Sequence, residues 1–361
     1  MQRYIRTGAS AILGSFLSAC IAGCSSIGPA TVVRDRADYI GAIADSWKEQ
    51  MLANVVRLRY ADAPVFVDVS SVISSYALQT QVLASGIRSL DAPGNLVNLG
   101  ANATYVDKPT ITYTPLTGDQ FTKSLLRPIP PASLFSLIQA GYPADFVLLV
   151  TVEALNGVYN RTSGGGGRAR PASPEFKPLI DALRRLQIGG GLGMRLKKTK
   201  TGEVTLVFFP DNPTPSQRRD IDFVARTLKV KPEHDEIQLE FGATQRSPNE
   251  LAVLSRSLSE ILIELAAGID APEKDVAEGR TYAGTSVGPD APAYDRPFVR
   301  IHSGDISPSD AYVAVRYRQH WFWIDDADYS SKRAFSFLML FFSLAQTGVT
   351  PHLPVVTIPA N

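Results

Sequence analysis

Apolar positions along this chain recur first with a helical period and then with a period of two. Between Asp38 and Tyr60 they fall at Ile40, Ile43, Trp47, Met51, Val55 and Leu58, with Lys48, Glu49, Gln50 and Arg57 off that stripe. The spacing predicts a long amphipathic helix with one buried face, ended by Pro64. The stretches "VFVDVSSVISSYALQTQVLASG" from Val65 and "LGANATYVDKPTITYTPL" from Leu99 then show Val, Ile, Thr and Tyr in partial alternation. They predict a long antiparallel hairpin or a small sheet, with Gly86 to Gly100 as the connection.

Further on, "GDQFTKSLLRPIPPASLFSLIQAGYP" predicts two short helices parted by Pro128, Pro130 and Pro131. Residues Asp145 to Val158 fit either a buried strand around Phe146–Val152 or a helix, since an apolar run of this length has no decisive period. Four glycines in "RTSGGGGRARPASP" predict a flexible linker. After it come a helix carrying Phe176, Leu179, Ile180, Leu183 and Leu186, and strands at Leu192–Lys198 and Glu203–Phe209. A helix opened by Thr214-Pro215-Ser216-Gln217 and a strand at Glu236–Phe241 follow. If Phe146–Val152 is a strand, this order becomes ferredoxin-like. Ser247-Pro248-Asn249-Glu250 repeats a capping signature, and Leu251, Leu254, Leu258, Ile261, Leu262 and Leu265 predict the helix behind it. A Gly/Pro-rich loop spans Asp270 to Pro297. The tail predicts strands at Phe298–His302, Tyr312–Tyr317 and Trp321–Ile324, a buried helix near Ser331–Gln346, and a last strand in "PVVTI". The fold class expected is α+β, mixed helices and antiparallel sheets. The domains expected are residues 37–160 and 173–361, joined by the linker 161–172.

The N-terminus changes the picture from fold to address. Arg3 and Arg6 precede an uncharged run from Thr7 to Ala22, the basic and apolar regions of a secretory signal peptide. It is too short to span a bilayer, which takes roughly 20 apolar residues. Where it ends, Leu17-Ser18-Ala19-Cys20 and Ile21-Ala22-Gly23-Cys24 each resemble the lipobox of bacterial lipoproteins. That resemblance implies cleavage before a cysteine that is then acylated and anchors the chain in a membrane, without any cofactor. Cys24 is the favoured site, because Ile21 and Ala22 still belong to the apolar region and Ser25-Ser26 begin the polar one; Cys20 is the alternative. The signal peptide is then residues 1–23 and a tether residues 24–36. Ser25 is not the Asp that marks inner-membrane retention in enterobacterial lipoproteins, so the resemblance implies the outer membrane, facing the periplasm.

Composition narrows the chemistry. A chain of 361 residues, 45% hydrophobic and 20% charged, can bury a sizeable core. Processing at Cys24 removes Arg3 and Arg6 and no acid, leaving a near-neutral body without the field that nucleic acid requires. It also leaves no second cysteine, which excludes a disulfide framework, a thiolate metal site and a cysteine nucleophile.

Motifs that could carry a reaction are weak. Gly284-Thr285-Ser286-Val287-Gly288 matches a nucleophile elbow in letters, but no strand is predicted before it and no helix after it. Gly189 to Gly193 follows a helix and precedes a strand, the reverse of a phosphate loop, and reads as helix termination. His234, His302, His320 and His352 are far apart and form no local metal signature. Asp325, Asp326 and Asp328 lie where a helix begins, which suits capping. The most unusual stretch is "YVAVRYRQHWFWIDD". A hairpin there puts Val313, Val315 and Tyr317 on one face and Ala314, Arg316 and Arg318 on the other, with Trp321 and Trp323 sharing a face. Arg316, Arg318, Trp321 and Trp323 are thus the candidate binding surface for a glycan or a protein of the envelope. The function expected is that of a lipid-anchored, non-enzymatic binding or scaffolding component with no catalytic residue, metal ligand or cofactor. The competing expectation is an envelope hydrolase acting through paired carboxylates such as Asp325 and Asp326.

Overall fold

The computed structural model describes residues 27–346, apart from 74–75, 89–94, 108–109, 164, 166–168, 200–201, 232–235, 285–293 and 295. Cys20, Cys24, the signal peptide, Ser286, His234, His352 and "PVVTI" lie outside the described residues. The chain divides at Met51/Leu52 into two units. Helix α1 spans Ile27–Arg59. Within the first unit the expected stripe is buried only at its last residue, Met51, since Ile40 is 56% exposed and Ile43 and Trp47 are only half-buried. From Leu52 onward the burial is complete at Leu52, Val55, Val56 and Arg59, whereas Leu58 is half-buried.

The second unit begins with the period-two segments. Strands β1 (Val67–Ile73), β2 (Tyr76–Arg88), β3 (Asn95–Asp107) and β4 (Thr110–Pro115) nest as a hairpin, β2 pairing antiparallel with β3 and β1 with β4. Its root is held in the core: the Leu116 N–H donates to the Phe66 carbonyl at 2.9 Å, and Phe66 stacks on Phe342 with centroids 4.9 Å apart.

A short helix α2 (Gly118–Phe121) widens into a π-turn over Thr122–Leu126, followed by α3 (Pro131–Gln139) and α4 (Ala144–Thr151). The ambiguous apolar run is therefore a helix, and the strand β5 (Val152–Leu155) starts only where it ends; β6 (Val158–Tyr159) pairs with β5. Pro143 at the N-cap and the complete burial of Val147 and Leu148, in a helix that packs on α5, decide for helix. Then come α5 (Phe176–Ile188), β7 (Gly193–Thr199), β8 (Gly202–Phe208), α6 (Pro215–Leu228), β9 (Glu236–Phe241) and β10 (Glu250–Ser255). The sheet order is β6-β5-β10-β9-β8-β7, with β9 and β10 parallel and the other neighbours antiparallel. The β-α-β-β-α-β order of the chain is present, but β8 pairs with β9, and β10 separates β9 from β5. The ferredoxin-like order is therefore not formed. The Gly-rich stretch at 161–172 runs between strands of this one sheet, and Thr162 and Arg170 bridge each other, so the residues on both sides share a core.

A second difference concerns "SPNELAVLSRSLSE". The expected helix from Ser247 is strand β10, and helix α7 (Leu258–Ala267) begins ten residues later under a capping box of Ser257 and Glu260. Leu251, Ala252 and Val253 are buried between β5 and β9, where a continuous apolar run suits a central strand better than one face of a helix. The Glu250 carboxylate does accept the Ser247 N–H, at 3.2 Å, but it closes a turn. The box at Thr214 and Gln217 forms as the motif predicts.

Helix α8 (Glu273–Ala277) leads to a three-stranded antiparallel sheet of β11 (His302–Gly304), β12 (Ala311–Tyr317) and β13 (His320–Asp325), in the order β11-β13-β12. The strand expected at Phe298–His302 starts only at His302, because Val299 and Ile301 are core residues of an irregular segment. Helix α9 (Tyr329–Gln346) packs on β13 and buries Phe335, Phe337, Leu338, Phe341 and Phe342. Phe337 meets Phe146 of α4 edge-on at 4.9 Å and Tyr142 at 5.5 Å, joining the small sheet to the helices behind it. Phe322, fully buried on β13, sits where α9, Tyr60 and the sheet meet. Phe322→Ala is expected to cost about 3–5 kcal/mol of unfolding free energy in a denaturant titration, whereas Ile306→Ala, at a position 83% exposed, should stay within about 0.5 kcal/mol.

Candidate binding face and the network beneath it

The β12–β13 hairpin turns over two residues, Arg318 and Gln319, because Tyr317 and His320 are register partners. Arg318 takes φ +53°, the positive value that primed hairpin turns require. Its guanidinium is held 4.7 Å from the centre of the Tyr60 ring and 5.7 Å from that of Tyr317, and donates to Asp62 at 3.4 Å. Arg318 thus folds back toward the end of α1.

Register separates the two faces of the hairpin. Val315 opposes Phe322 and Val313 opposes Ile324, and Val313, Phe322 and Ile324 are core. On the other face Arg316 opposes Trp321, Ala314 opposes Trp323, and β11 adds Gly304 beside Trp321 and His302 beside Trp323. The His302 ring lies 5.7 Å from Trp323, and its Nδ1 is 3.4 Å from Asp270. Trp321, Trp323 and His302 are half-buried and Arg316 is exposed. Of the four residues predicted as a surface, the fold therefore collects Arg316, Trp321 and Trp323 on one face and directs Arg318 elsewhere. Among the described residues neither guanidinium stands over an indole.

Beneath the turn lies a polar network invisible in the sequence. Tyr317 donates its hydroxyl to Asp62, and Tyr60 donates to Asp275 Oδ2 at 2.6 Å. Asp275 is only 1% exposed, with Arg280 Nη1 at 3.5 Å and His320 Nε2 at 3.9 Å; His320 Nδ1 in turn meets Asp305 at 2.8 Å. The Tyr60 ring packs on Tyr317 at 5.5 Å and edge-on against Phe322 at 6.1 Å. The Tyr317 hydroxyl, with help from Arg318, holds the Asp62 carboxyl below the usual carboxylate range. Burial, reinforced by their acidic partners, pushes both tyrosine hydroxyls up. These groups fasten the hairpin to the end of α1. Tyr60 and Asp275 are shut away from solvent, whereas Asp62 and Asp305 at the margins of the network are open to it.

The other candidates are engaged locally. Asp328 caps α9 by accepting from the Ser331 N–H and hydroxyl; burial alone would raise its pKa, and these bonds bring it below the usual range. Asp325 accepts the Ala327 N–H, and Asp326 holds Lys332 at 2.6 Å. Among the described residues no three His, Cys, Asp or Glu side chains stand close enough to hold a metal ion.

Two buried arginines carry no functional signal in the sequence pattern. Arg59, 1% exposed, donates from Nη1 to the carbonyls of Ala266 and Ala267 at 3.0 and 3.1 Å, and from Nη2 to Tyr282 at 2.9 Å. It closes the C-terminal end of α7, where a cation also meets the negative end of the helix dipole. Arg256 does the same for α4, donating to Val150 at 3.1 Å and to Arg161 at 2.5 Å; burial lowers its pKa. Arg59 follows Leu52, Val55 and Val56 at helical spacing, and Arg256 interrupts an apolar run. A charge in such a place has to find carbonyls.

The depressed Asp62 carboxyl generates a pH-dependent expectation. Its folded pKa lies below the unfolded value of about 3.9, so its contribution is complete above that value and disappears as pH falls through the folded one. Tyr317→Phe should therefore destabilise the protein at pH 7 by about 1–2 kcal/mol, and the gap to the parent should close in unfolding titrations below about pH 4. A gap of equal size at pH 3 and pH 7 would contradict this.

Compared with known proteins, the chain matches no family model, no curated protein and no solved structure.

Proposed function

We propose that this protein is a lipid-anchored component of the bacterial envelope, attached to the outer membrane through Cys24 and facing the periplasm. It binds and scaffolds other envelope components and carries out no catalysis. The observation that carries this reading is the outer face of β11-β13-β12. There Trp321, Trp323, His302 and Arg316 share one side of a sheet whose other side is core. Indoles offer broad apolar area at little entropic cost, and a guanidinium beside them supplies directed donors, a combination suited to a protein or glycan partner. The commitment of Asp325 and Asp326 to the start of α9 favours binding over hydrolysis, which would need two carboxylates about 5–10 Å apart and free to face a substrate. The anchor is supported by the uncharged leader and by Ile21-Ala22-Gly23-Cys24; several acyl chains on one residue make such attachment stable.

Two measurements test this reading. Mass spectrometry of the mature N-terminus should find an acylated peptide beginning Cys24-Ser25-Ser26, and an acylated peptide beginning at Cys20, or an unprocessed chain, would overturn the assignment. A photo-cross-linker in place of Arg316 should trap a defined partner in intact cells. Replacing Trp321 and Trp323 together by Ala should reduce that product at least about tenfold with the melting temperature held. Cross-linking indifferent to the loss of both indoles would reject the surface.

A further inference from the structure

We propose that the β2–β3 hairpin crosses a lipid bilayer and closes, edge to edge with the same hairpin of further copies of this chain, into a β-barrel. This deepens the envelope reading and rests on it only for the identity of the membrane.

The register carries the argument. Leu78 pairs with Tyr105, Thr80 with Ala103, Val82 with Ala101, Ala84 with Leu99 and Gly86 with Val97, all on one face. The alternate face pairs Gln79 with Thr104, Gln81 with Asn102, Leu83 with Gly100 and Ser85 with Asn98, and ends in the apolar pairs Ala77 with Val106 and Ile87 with Leu96. Over the central pairs, from Leu78 to Gly86, one side is thus apolar or small apart from Thr80 and the other mostly amide and hydroxyl, the alternation of a strand between hydrocarbon and a watery lumen; the charged and aromatic pairs Tyr76–Asp107 and Arg88–Asn95 close the apolar side at its two ends. Where it is described, the polar side is open: Gln81, Asn102 and Thr104 are exposed and Leu83 is 69% exposed. No Asp, Glu, Lys, Arg or His occurs from Val69 to Ile87 or from Asn95 to Val106, and charge resumes at Arg88 and Asp91 on one side and at Asp107 and Lys108 on the other.

Length agrees with the composition. Each strand has 13 residues, all paired. At about 3.4 Å per residue this is roughly 41 Å along the strand, or about 30 Å in height at a tilt of 40–45°. An outward apolar band is about 25 Å tall, and Tyr76 and Tyr105 sit near one end of this one, where aromatic girdles occur.

The edges identify the partner. Among the described residues β2 and β3 form a two-stranded sheet, so each strand has one row of backbone N–H and C=O groups without a ladder partner. In hydrocarbon such rows cannot remain open, and only a closed barrel satisfies them. Soluble proteins shield long edges with Lys, Pro or inward charge, and these edges carry none of them between Tyr76 and Ile87. A hairpin presents two different edges, so successive copies join head to tail and the ring closes by rotation. Each copy adds two strands, and a barrel of at least about 8 strands needs about four copies or more.

The experiment uses the full-length acylated protein in vesicles of phosphatidylethanolamine and phosphatidylglycerol. Once Cys24 is acylated, a single introduced cysteine is the only free thiol, so Val82→Cys, Ala101→Cys, Gln81→Cys and Asn102→Cys can each carry an environment-sensitive dye. Dyes at 82 and 101 should be quenched by lipid carrying bromine on its chains, dyes at 81 and 102 by iodide in water, and chemical cross-linking should give a ladder ending at one defined multimer. Val82→Arg should lower the inserted fraction at least about tenfold and Gln81→Arg should leave it within about twofold, with tryptophan fluorescence confirming that the body is folded in both. Protein that floats with the vesicles while all four dyes stay aqueous would overturn the hairpin and leave the lipid anchor standing. Should Cys24 prove unacylated, the dyes are placed in a Cys20→Ser, Cys24→Ser chain, and their alternation there would sustain the hairpin and remove the anchor. Dyes that alternate in a species containing one copy would overturn the assignment of the edges to further copies.

Discussion

Two buried guanidiniums bracket helix α7, and the architecture of the second unit depends on them. Arg256 immediately precedes the Ser257 cap and reaches back to the carbonyls that end α4; Arg59 arrives from α1 and closes the carbonyls at the far end of α7. A guanidinium presents its donors in a fixed plane, so burying one demands acceptors at set positions, and helix C-termini are where unpaired carbonyls collect. Apolar packing alone would let the Leu52–Arg59 end of α1, α4 and α7 slide against one another. The arginines set their relation, because any shift would strand either a charge or several carbonyls away from water.

From that frame the two surfaces follow. The hairpin root at Phe66 and Leu116 stacks on Phe342 of α9 and is tied to α1 by Asn54, whose side chain exchanges two hydrogen bonds with the Val65 backbone; the turn at Arg318 attaches near the end of α1 through Tyr60, Asp62 and Asp275. The small sheet has one face spent on the core, so its aromatic face is held in place without being needed for stability. Among the residues of the long hairpin whose burial is described, only the root at Phe66 and Leu116 is core. The stability of that hairpin in water is expected to be small, since an isolated two-stranded ribbon buries little, which fits an element completed by its surroundings.

How much of this was legible varied with the source of the signal. Local signals served well where the local chain decides the outcome. Thr214 and Gln217 announced α6, the spacing of Phe176 to Leu186 announced α5, and the period of two announced the nested hairpin. They misled where burial on all sides erases periodicity. "ELAVLS" followed a capping signature and carried leucines at helical spacing, yet became the central strand β10; the capping box that operates is Ser257 with Glu260. The run at Phe146 showed the converse, an apolar stretch that is a helix. Arg318 shared a sequence parity with Arg316 but left that face, because a two-residue turn ends alternation at Tyr317.

The sequence by itself determined the α+β class, the position of the helix capped by Thr214, the alternation of the hairpin and the parity that unites Trp321 with Trp323. Each of these depends on neighbours within a few residues, which the chain carries with it. Only the tertiary structure decided that strands on both sides of the Gly-rich stretch share one sheet. It alone brought Tyr60 to Asp275 and Tyr317 to Asp62, and placed Arg59 and Arg256 at helix ends. Those contacts join residues about a hundred or more positions apart, and their partners are mostly backbone carbonyls and buried rings, which any sequence offers in plenty and no local pattern singles out.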